Sequence, residues 1–352
     1  MISRISSLFL CVLYLASTKA VSVNTNAKEK ASRPNFIFIL TDDQDRVLGK
    51  DGYSALGSME IMPNLLSKMM QEGAIVDNFL VNTPICCPSR TEFFTGRYFH
   101  NVGPPNAKGH CMHADTSFAG DPDTGIFGLL TNHGYEVGLF GKITNNQESI
   151  VNQLVDQKTA TYIDSPVKER SFEPPEFYRF PNSKGKLEIE TVNQNDPVFG
   201  SMYQTTQLGN RTLRWLDEVV GKPMSEGKEA KPFFAYIGPH APHFPAQPAP
   251  WHEHAMDHID VPITPNYNVE SPDKAAHVRQ NPPLNDQVRC YQDQHFRDRW
   301  ASLLSVDDMI KEIYEYLDAL EILENTYLIF SSDHGYKQGQ WRIGNHYFSN
   351  KF

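Results

Sequence analysis

The chain has 352 residues and a formal net charge of -10 at pH 7. Its 40% hydrophobic and 21% charged residues are typical of a globular protein and exclude a largely disordered one. The length allows one large domain or two ordinary ones. Because binding to a phosphate backbone requires a basic face, the acidic balance argues against nucleic acid as a partner. A local cationic pocket for a small anion is still compatible with it.

The N-terminal twenty residues have the composition of a secretory signal peptide. Arg4 provides a positive charge, residues 8–16 form an apolar core, and small residues precede a predicted cleavage site near Val21. We therefore assign residues 1–20 to a signal peptide and the polar residues 21–33 to a disordered segment. An uncleaved membrane anchor is the alternative, although a spanning helix needs about 20 apolar residues. No later segment is predicted to span a bilayer.

Strand and helix patterns alternate along the rest of the chain. The predicted strands cover residues 35–40, 74–81, 135–140, 233–238 and 326–331. The predicted helices cover residues 63–72, 89–95, 126–132, 202–220 and 300–320. Such alternation predicts an α/β fold in which helices cover both faces of a mostly parallel sheet. Two poorly patterned regions, about 145–200 and 239–287, are predicted to be long insertions above the sheet, where substrate specificity usually resides.

Polar residues stand directly after three of the predicted strands. Asp42 and Asp43 follow the first, His243 follows the fourth, and Asp333 and His334 follow the fifth. In open α/β sheets ligands bind beyond the carboxyl ends of the strands, so we expect these side chains to converge. Three carboxylates and one imidazole would form an oxygen-rich site that favours Ca²⁺ or Mg²⁺. The alternatives are a solvated loop or a helix cap for the Asp-Asp pair and a zinc site, which the lack of an H-x-x-x-H array disfavours.

The stretch from Pro84 to Gly96 reads P-I-C-C-P-S-R-T-E-F-F-T-G. An isolated cysteine in a secreted chain would usually be a buried hydrophobe or half of a disulfide. This stretch instead joins C-x-P-S-R to a following T-G, and it resembles the signature of the formylglycine-dependent sulfatases along its whole length. The resemblance implies that Cys86 is oxidised after translation to formylglycine (3-oxoalanine), whose hydrated aldehyde is the nucleophile. It also implies that Arg90 lies beside this nucleophile, while Cys87, at a variable position, is expected to be a buried inert thiol.

Two further stretches resemble the metal motifs of the same family. Residues 41–44 read T-D-D-Q, and residues 333–335 read D-H-G, a variant with histidine in place of asparagine. The resemblance implies that both motifs, together with the modified cysteine, hold one Ca²⁺ per chain. The implied metal ligands are Asp42, Asp43, Cys86, Asp333 and His334.

The remaining motifs supply basic residues for the substrate. The stretch G-Y-E-V-G-L-F-G-K ends at Lys142 and is similar to the family's second signature, in which this lysine binds a sulfate oxygen. Thr144 stands where that signature has a histidine. The sequence P-H-F-P resembles the motif whose histidine contacts the leaving group, which implies this role for His243, with His240 as the second choice. Lys351 matches the lysine that follows the second metal motif, a sulfate-binding group and proton donor.

The resemblance covers most of the chain and implies an alkaline-phosphatase-like three-layer sandwich. Residues 34–352 would form the catalytic domain, truncated at its C-terminus, because nothing in the sequence encodes the family's small C-terminal subdomain. The implied activity is hydrolysis of sulfate esters. Its implied catalytic residues are Cys86, Arg90, Lys142, His243 and Lys351. The first metal motif and the cysteine motif look most like those of the N-acetylglucosamine-6-sulfatase and arylsulfatase branch, whereas Asp333-His334 resembles the iduronate-sulfatase branch. A sulfated glycan is therefore the first choice of substrate and an aryl sulfate the second.

The compartment follows from the same resemblance. It implies a partner, the formylglycine-generating enzyme of the secretory pathway, and an extracellular or lysosome-like location. Asn210 begins an N-x-T glycosylation acceptor, and pairing of Cys111 with Cys290 is an open expectation. Two other functions also stay open. A phosphonate or phosphodiester hydrolase of the same superfamily can carry the same aldehyde, and the degraded second signature is compatible with an inactive secreted glycan-binding fragment.

Overall fold

The structure, a computed structural model, describes the chain from Arg33 onward with several gaps. The described residues are 33–45, 57–76, 79–102, 125–145, 147–156, 158–167, 176–180, 187–192 and 203–344. The predictions for the signal peptide (1–20), for nearly all of residues 21–33, and for Cys111 and Lys351 therefore lie outside the described residues.

Seven strands of the described chain form one sheet in the order β5-β4-β3-β2-β6-β1-β7. The strands are β1 (Asn35–Thr41), β2 (Glu136–Gly141), β3 (Tyr162–Pro166), β4 (Glu176–Phe180), β5 (Glu188–Thr191), β6 (Phe233–Gly238) and β7 (Thr326–Ser332). Neighbouring strands from β3 to β7 in this order are parallel, whereas β4 and β5 join as antiparallel strands. The sheet is therefore mostly parallel, as the sequence predicts.

Helices connect these strands. They are α1 (Pro63–Leu65), α2 (Cys86–Thr95), α3 (Ile126–Asn132), α4 (Gln147–Asp156), α5 (Gln204–Leu216), α6 (Lys222–Ser225), α7 (Ala276–Arg279) and α8 (Asp286–Ala319). Helix α1 continues as a π-helical turn over Leu66–Met70, and α5 continues as another over Asp217–Gly221. Short 3-10 turns cover Phe99–Asn101 and Leu323–Asn325. Within the described residues, none of these helices has the length and apolar character needed to cross a bilayer.

Alternate side chains of β1 enter two separate apolar layers, as the two-residue period of a strand requires. Ile37 and Ile39 join a cluster with apolar residues of α5 and α8. Phe38 and Leu40 join a second cluster with apolar residues of α2, α3 and α4. Each fully buried apolar side chain in these layers contributes about 1.5–3 kcal/mol to stability. The predicted three-layer α/β sandwich is confirmed, with the sheet as its middle layer.

The predicted strand over residues 74–81 is wrong. In its described part, 74–76 and 79–81, the chain is irregular and pairs with no strand of the sheet. Its apolar side chains lie on the surface, and Phe79 and Leu80 are 71% and 86% exposed. An apolar run satisfies its backbone groups as a strand only where a neighbouring strand is available.

The region 145–200 is also different from the prediction. It was expected to be an unpatterned insertion, but it supplies α4 and the strands β3, β4 and β5, which extend the sheet beyond β2. These strands are only four or five residues long, too short to leave a clear two-residue pattern. Helix α8 likewise differs from the prediction, because it begins at Asp286 instead of residue 300. The Asn285 side chain caps its N-terminus by accepting a hydrogen bond from the backbone N–H of Val288.

Candidate active site

Four neighbouring strands, β2, β6, β1 and β7, present their carboxyl ends at one edge of the sheet. The loops that leave this edge carry the polar residues singled out in the sequence, and all of their side chains are buried. These residues are Asp42, Asp43, Lys142, His240, His243, Asp333 and His334. The predicted convergence of distant motifs is thus present in the structure.

Cys86 enters this cluster from the first turn of α2. The helix begins at Cys86, three residues earlier than predicted. Pro88 is compatible with this start, because backbone N–H groups in the first turn of a helix have no intrahelical acceptor, and proline carries no N–H. The Cys86 Sγ atom lies 3.3 Å from His334 Nε2 and 3.9 Å from Asp43 Oδ1. Burial, together with the nearby Asp42 carboxylate, raises the pKa of the Cys86 thiol, so the unmodified side chain stays protonated.

The donor atoms around Cys86 fit a hard divalent cation. Oδ1 of Asp42 and Oδ2 of Asp43 are buried without a hydrogen-bond partner in the described structure. His334 Nδ1 lies 2.7 Å from the Gly335 carbonyl oxygen and donates to it, which turns Nε2 as an acceptor towards the cluster, 3.3 Å from Cys86 Sγ and 3.1 Å from Asp43 Oδ1. Carboxylate oxygens that lack a proton donor in a buried site are the ligands that Ca²⁺ and Mg²⁺ prefer.

The structure adds His243 to this set. Ligand atoms of Asp42, Asp43, Cys86 and His243 all lie within 4.8 Å of one another, as do those of Cys86, Asp333 and His334. His243 Nδ1 lies 2.7 Å from the Phe244 carbonyl oxygen, to which it donates. Burial lowers the pKa of His243 to about 2, so its ring is neutral.

Arg90 is the central cation of the site and is fully buried. Its Nε donates to Asp333 Oδ2 at 2.9 Å, and its Nη2 lies 3.6 Å from Asp42 Oδ1. Its Nη1 donates to the Tyr236 hydroxyl at 2.6 Å and to the Lys142 carbonyl oxygen at 2.8 Å. Arg90 therefore joins the loops after β1, β2 and β7, and it offsets the charge of two carboxylates.

Lys142 and His240 both approach Asp42. The Lys142 ammonium donates to Asp42 Oδ2 at 2.7 Å, and His240 Nδ1 lies 3.3 Å from the same oxygen. Burial alone would raise the pKa of Asp42, but Lys142, with His243, His240 and Arg90, holds it well below its usual value. Asp42 is therefore a permanent anion that orients two cationic or polar groups.

Asp43 has the opposite electrostatic environment. Burial and the adjacent Asp42 carboxylate raise the pKa of Asp43 to about 7. Burial also raises the pKa of Asp333, although Arg90 opposes this. Among the described residues, the site thus contains three buried carboxyl groups and only two permanent cations, Arg90 and Lys142. A bound divalent ion would offset the excess negative charge.

Three further residues of the described chain, which were not predicted as site residues, hold this site together. Tyr236, on β6, bridges Arg90 and the Lys142 carbonyl oxygen. Ser89 donates to the Asp333 carbonyl oxygen at 2.5 Å. Arg299, on α8, donates to the Asp43 carbonyl oxygen at 2.7 Å. Arg299 directly precedes the helix predicted over residues 300–320, so the sequence pattern gives no sign that it lies on the buried face of α8.

The cysteines differ from the prediction. Cys87 is disulfide-bonded, not an inert thiol, and its partner lies outside the described residues. Cys290 is a free, exposed thiol, which rules out its pairing with Cys111, a possibility that the sequence left open. No motif in the sequence indicates which cysteines pair.

Two predicted residues lie apart from the cluster or outside the described part. Asn210 is a half-buried residue within α5, and the hydroxyl of Thr212, which completes its acceptor triplet, is buried and donates to the Leu208 carbonyl oxygen. Glycosylation of Asn210 stays a prediction. Lys351 lies outside the described residues, and its role stays a prediction.

Comparison with known proteins identifies the family. The model of the sulfatase family matches residues 34–351, most of the chain. The chain belongs to the sulfatase family. An extracellular sulfatase Sulf-1 homolog of Caenorhabditis elegans is 30% identical over 348 residues, which cover 97% of this chain and 44% of the relative. The N-acetylglucosamine-6-sulfatase of Capra hircus is 29% identical over 323 residues, 91% of this chain and 54% of the relative.

The fold agrees with this assignment to the sulfatases. A solved structure of a protein in complex with its substrate D-glucosamine-2-N,6-O-disulfate superposes with a TM-score of 0.64, at 18% identity, over 89% of this chain and 68% of that protein. At this identity the likeness concerns the fold, which is that of the alkaline-phosphatase-like sulfatases. This sulfatase chain spans about half the length of the curated relatives it matches, 44% and 54% of the two named above.

Proposed function

We propose that this chain hydrolyses sulfate esters with a nucleophile made from Cys86. The observation that carries the proposal is the position of Cys86 Sγ, 3.3 Å from His334 Nε2 and 3.9 Å from Asp43 Oδ1, in a buried cluster of acids and bases. The raised pKa of the thiol makes unmodified Cys86 a poor nucleophile at neutral pH. Oxidation of this side chain to formylglycine would supply a hydrated aldehyde with a nucleophilic oxygen.

Asp42, Asp43, Asp333 and His334 would hold one Ca²⁺ beside the modified Cys86. The support is the buried Oδ1 of Asp42 and Oδ2 of Asp43, which lack a hydrogen-bond donor among the described residues, and the orientation of His334 Nε2 towards Cys86 and Asp43. The bound ion would supply positive charge that polarises the sulfuryl group. We assign Ca²⁺ rather than Mg²⁺ because a mixed set of carboxylates and one imidazole departs from the octahedral oxygen geometry that Mg²⁺ demands.

The remaining basic residues would act on the substrate. Arg90 and Lys142 are buried cations held on opposite sides of Asp42, and they would stabilise the charge that develops on the sulfuryl oxygens. His243 is neutral and buried, with Nε2 free to contact the leaving group. His240, whose ring centroid lies 4.7 Å from that of His243, is the second candidate for this contact. Lys351, by family resemblance, would be a further sulfate-binding group.

A sulfated carbohydrate is the substrate class that we propose, with an aryl sulfate as the second candidate. The goat relative is named for the 6-sulfate of N-acetylglucosamine, and a protein of the same fold binds a disulfated glucosamine. We further propose that the chain passes through the secretory pathway, where the formylglycine-generating enzyme acts, because a relative is named as an extracellular sulfatase.

The mass of one peptide tests the nucleophile. Trypsin cuts after Lys68 and Arg90, and the peptide between these cuts contains Cys86 and Cys87. After reduction and alkylation of protein secreted from a cell with the oxidising enzyme, we expect one alkylated cysteine, Cys87, and an aldehyde at Cys86. Two alkylated cysteines would contradict the proposal and favour an inactive glycan-binding protein.

Turnover of matched substrates tests the reaction. We expect hydrolysis of an aryl sulfate to exceed that of the corresponding aryl phosphate and phosphonate, with Cys86→Ala inactive on all three. Faster turnover of the phosphonate would favour the phosphonate or phosphodiester hydrolase instead.

A further inference from the structure

Arg299 is a buried cation that no motif assigns to the site. It lies on the inner face of α8 and is 1% exposed. Its Nη2 donates to the backbone carbonyl oxygen of Asp43 at 2.7 Å and to Asp45 Oδ1 at 2.6 Å. Its guanidinium therefore bonds the loop after β1 at two points.

The peptide that Arg299 holds has an unusual conformation. Asp43 has a φ of 71°, in the left-handed region that residues other than glycine rarely adopt. The turn is fixed from both sides, because the Asp43 N–H donates to Asp333 Oδ1 at 3.0 Å and its carbonyl oxygen accepts from Arg299. These two bonds hold the backbone of Asp43 and so set the direction in which its Cβ leaves the chain, towards the cluster that its carboxylate joins.

Arg299 also contacts the loop after β7. Its guanidinium carbon lies 4.5 Å from the centroid of the Tyr336 ring, a cation–π contact. Tyr336 follows Asp333 and His334 by a few residues on the same loop. One buried side chain of α8 thus fixes the position of both loops that carry the acidic cluster.

We propose that Arg299 is a positioning residue for the cation site: it holds Asp43 in the left-handed turn that aims its carboxylate at the cluster. The inference rests on the proposed function, because it takes Asp43 to be a metal ligand. Arg299 touches neither substrate nor ion in this scheme. Residues of this kind, which orient a ligand without binding the metal, typically alter metal affinity by 10–100-fold when they are replaced.

Calorimetric titration of the metal-free secreted protein with Ca²⁺ tests the role. Arg299→Met, which keeps the length of the side chain and removes its donors, should weaken Ca²⁺ binding by about 10–100-fold. Arg299→Lys keeps the charge but not the planar fork, and should fall between this variant and the wild type. It also carries the test if Arg299→Met does not fold.

Arg211→Met is the matched control. Arg211 is an equally buried arginine on α5, which pairs with Asp164 at 2.9 Å, away from the acidic cluster. Its replacement should lower the melting temperature yet leave the Ca²⁺ affinity within about twofold of the wild type, since mutations at distant sites act independently.

Three results would overturn the positioning role. Wild-type Ca²⁺ affinity in both Arg299 variants would show that the turn needs no such support. Equal weakening by Arg299→Met and Arg211→Met would mean that any loss of a buried arginine loosens the site. A wild-type protein that binds no Ca²⁺ would contradict the metal assignment itself, and the positioning role with it, whereas the first two results leave that assignment intact.

Discussion

Replacing Arg90 by methionine isolates the electrostatic balance of the site. The guanidinium is fully buried, bonds Asp333 at 2.9 Å and lies 3.6 Å from Asp42. Methionine fills much of the same volume but leaves both carboxylates without this cation. Breaking a buried ion pair by removing one partner costs about 3–5 kcal/mol, because the remaining charge stays desolvated. We therefore expect Arg90→Met to lose about this amount of unfolding free energy.

Scanning calorimetry of the metal-free protein measures this loss. In a chain of this length about 1 kcal/mol corresponds to roughly 1.4 °C in melting temperature, because the entropy of unfolding is about 2.1 cal/mol/K per residue, so Arg90→Met should melt ~4–7 °C below the wild type. Arg214→Met is the control, because Arg214 forms an exposed pair with Glu218 at 3.5 Å, with both side chains more than a third exposed. Such surface pairs contribute about 0–1 kcal/mol, so the control should shift by about 2 °C or less.

Adding Ca²⁺ extends the same experiment. A divalent cation beside Asp42 and Asp333 returns positive charge to them, so the difference between Arg90→Met and the wild type should shrink at saturating Ca²⁺. The reasoning is refuted if Arg90→Met and Arg214→Met melt within about 1 °C of each other in the metal-free state. In that case Arg90 would not be needed to offset the negative charge of the buried Asp42 and Asp333 carboxylates.

Three further substitutions test other parts of the structure. Lys142→Met removes the donor to Asp42, and kcat/KM for a sulfate ester should fall by about 10²–10³-fold, a loss that steady-state kinetics would measure. Burial lowers the pKa of His295 to about 3. The unfolded chain therefore binds a proton there below about pH 6.5 while the folded chain does not, and stability falls as the pH drops from 7 to 4. The free energy of unfolding, measured by urea titration, should therefore fall less between pH 7 and 4 in His295→Phe than in the wild type. An equal fall in both proteins would contradict the lowered pKa of His295. Gly141→Ala should lower the melting temperature by several degrees, because Gly141 has a φ of 83° and a Cβ there would lie 2.2 Å from the Gly238 carbonyl oxygen; unchanged melting would contradict this.

The central strands were predictable from the sequence because they are buried on both faces. β1, β2 and β6 appear as continuous or nearly continuous apolar runs that end in polar clusters. β7, at the edge of the described sheet, is only half-buried, but its run from Tyr327 to Phe330 is also apolar. The strands β3 to β5 are short, and β5 is largely exposed, so their pairing depends on the strand before each of them in the sheet rather than on their own composition. The run 74–81 shows the reverse error: its described residues pair with no strand, since apolar composition alone does not supply a partner strand.

The site was predictable where its chemistry is local in sequence. Cys86, Arg90 and the acids after β1 and β7 belong to short motifs whose residue types suit an anionic substrate and a hard cation. Tyr236 and Arg299 belong to no motif, because their contacts depend on the packing of β6 and α8. The disulfide at Cys87 was missed for the same reason, since pairing depends on distances in the folded chain.

Strand β7 makes the site sensitive to local opening of the sheet. In the described sheet it hydrogen-bonds to β1 alone, and the side chains of Tyr327 and Ile329 are substantially exposed. An edge strand of this kind detaches at lower free energy than the central ones. Asp333 and His334 follow directly after it, so detachment would separate them from Asp42 and Asp43. A cation bound to both loops consequently fastens β7 to β1, and the amide protons of β7 should exchange more slowly with solvent deuterium as that cation is added.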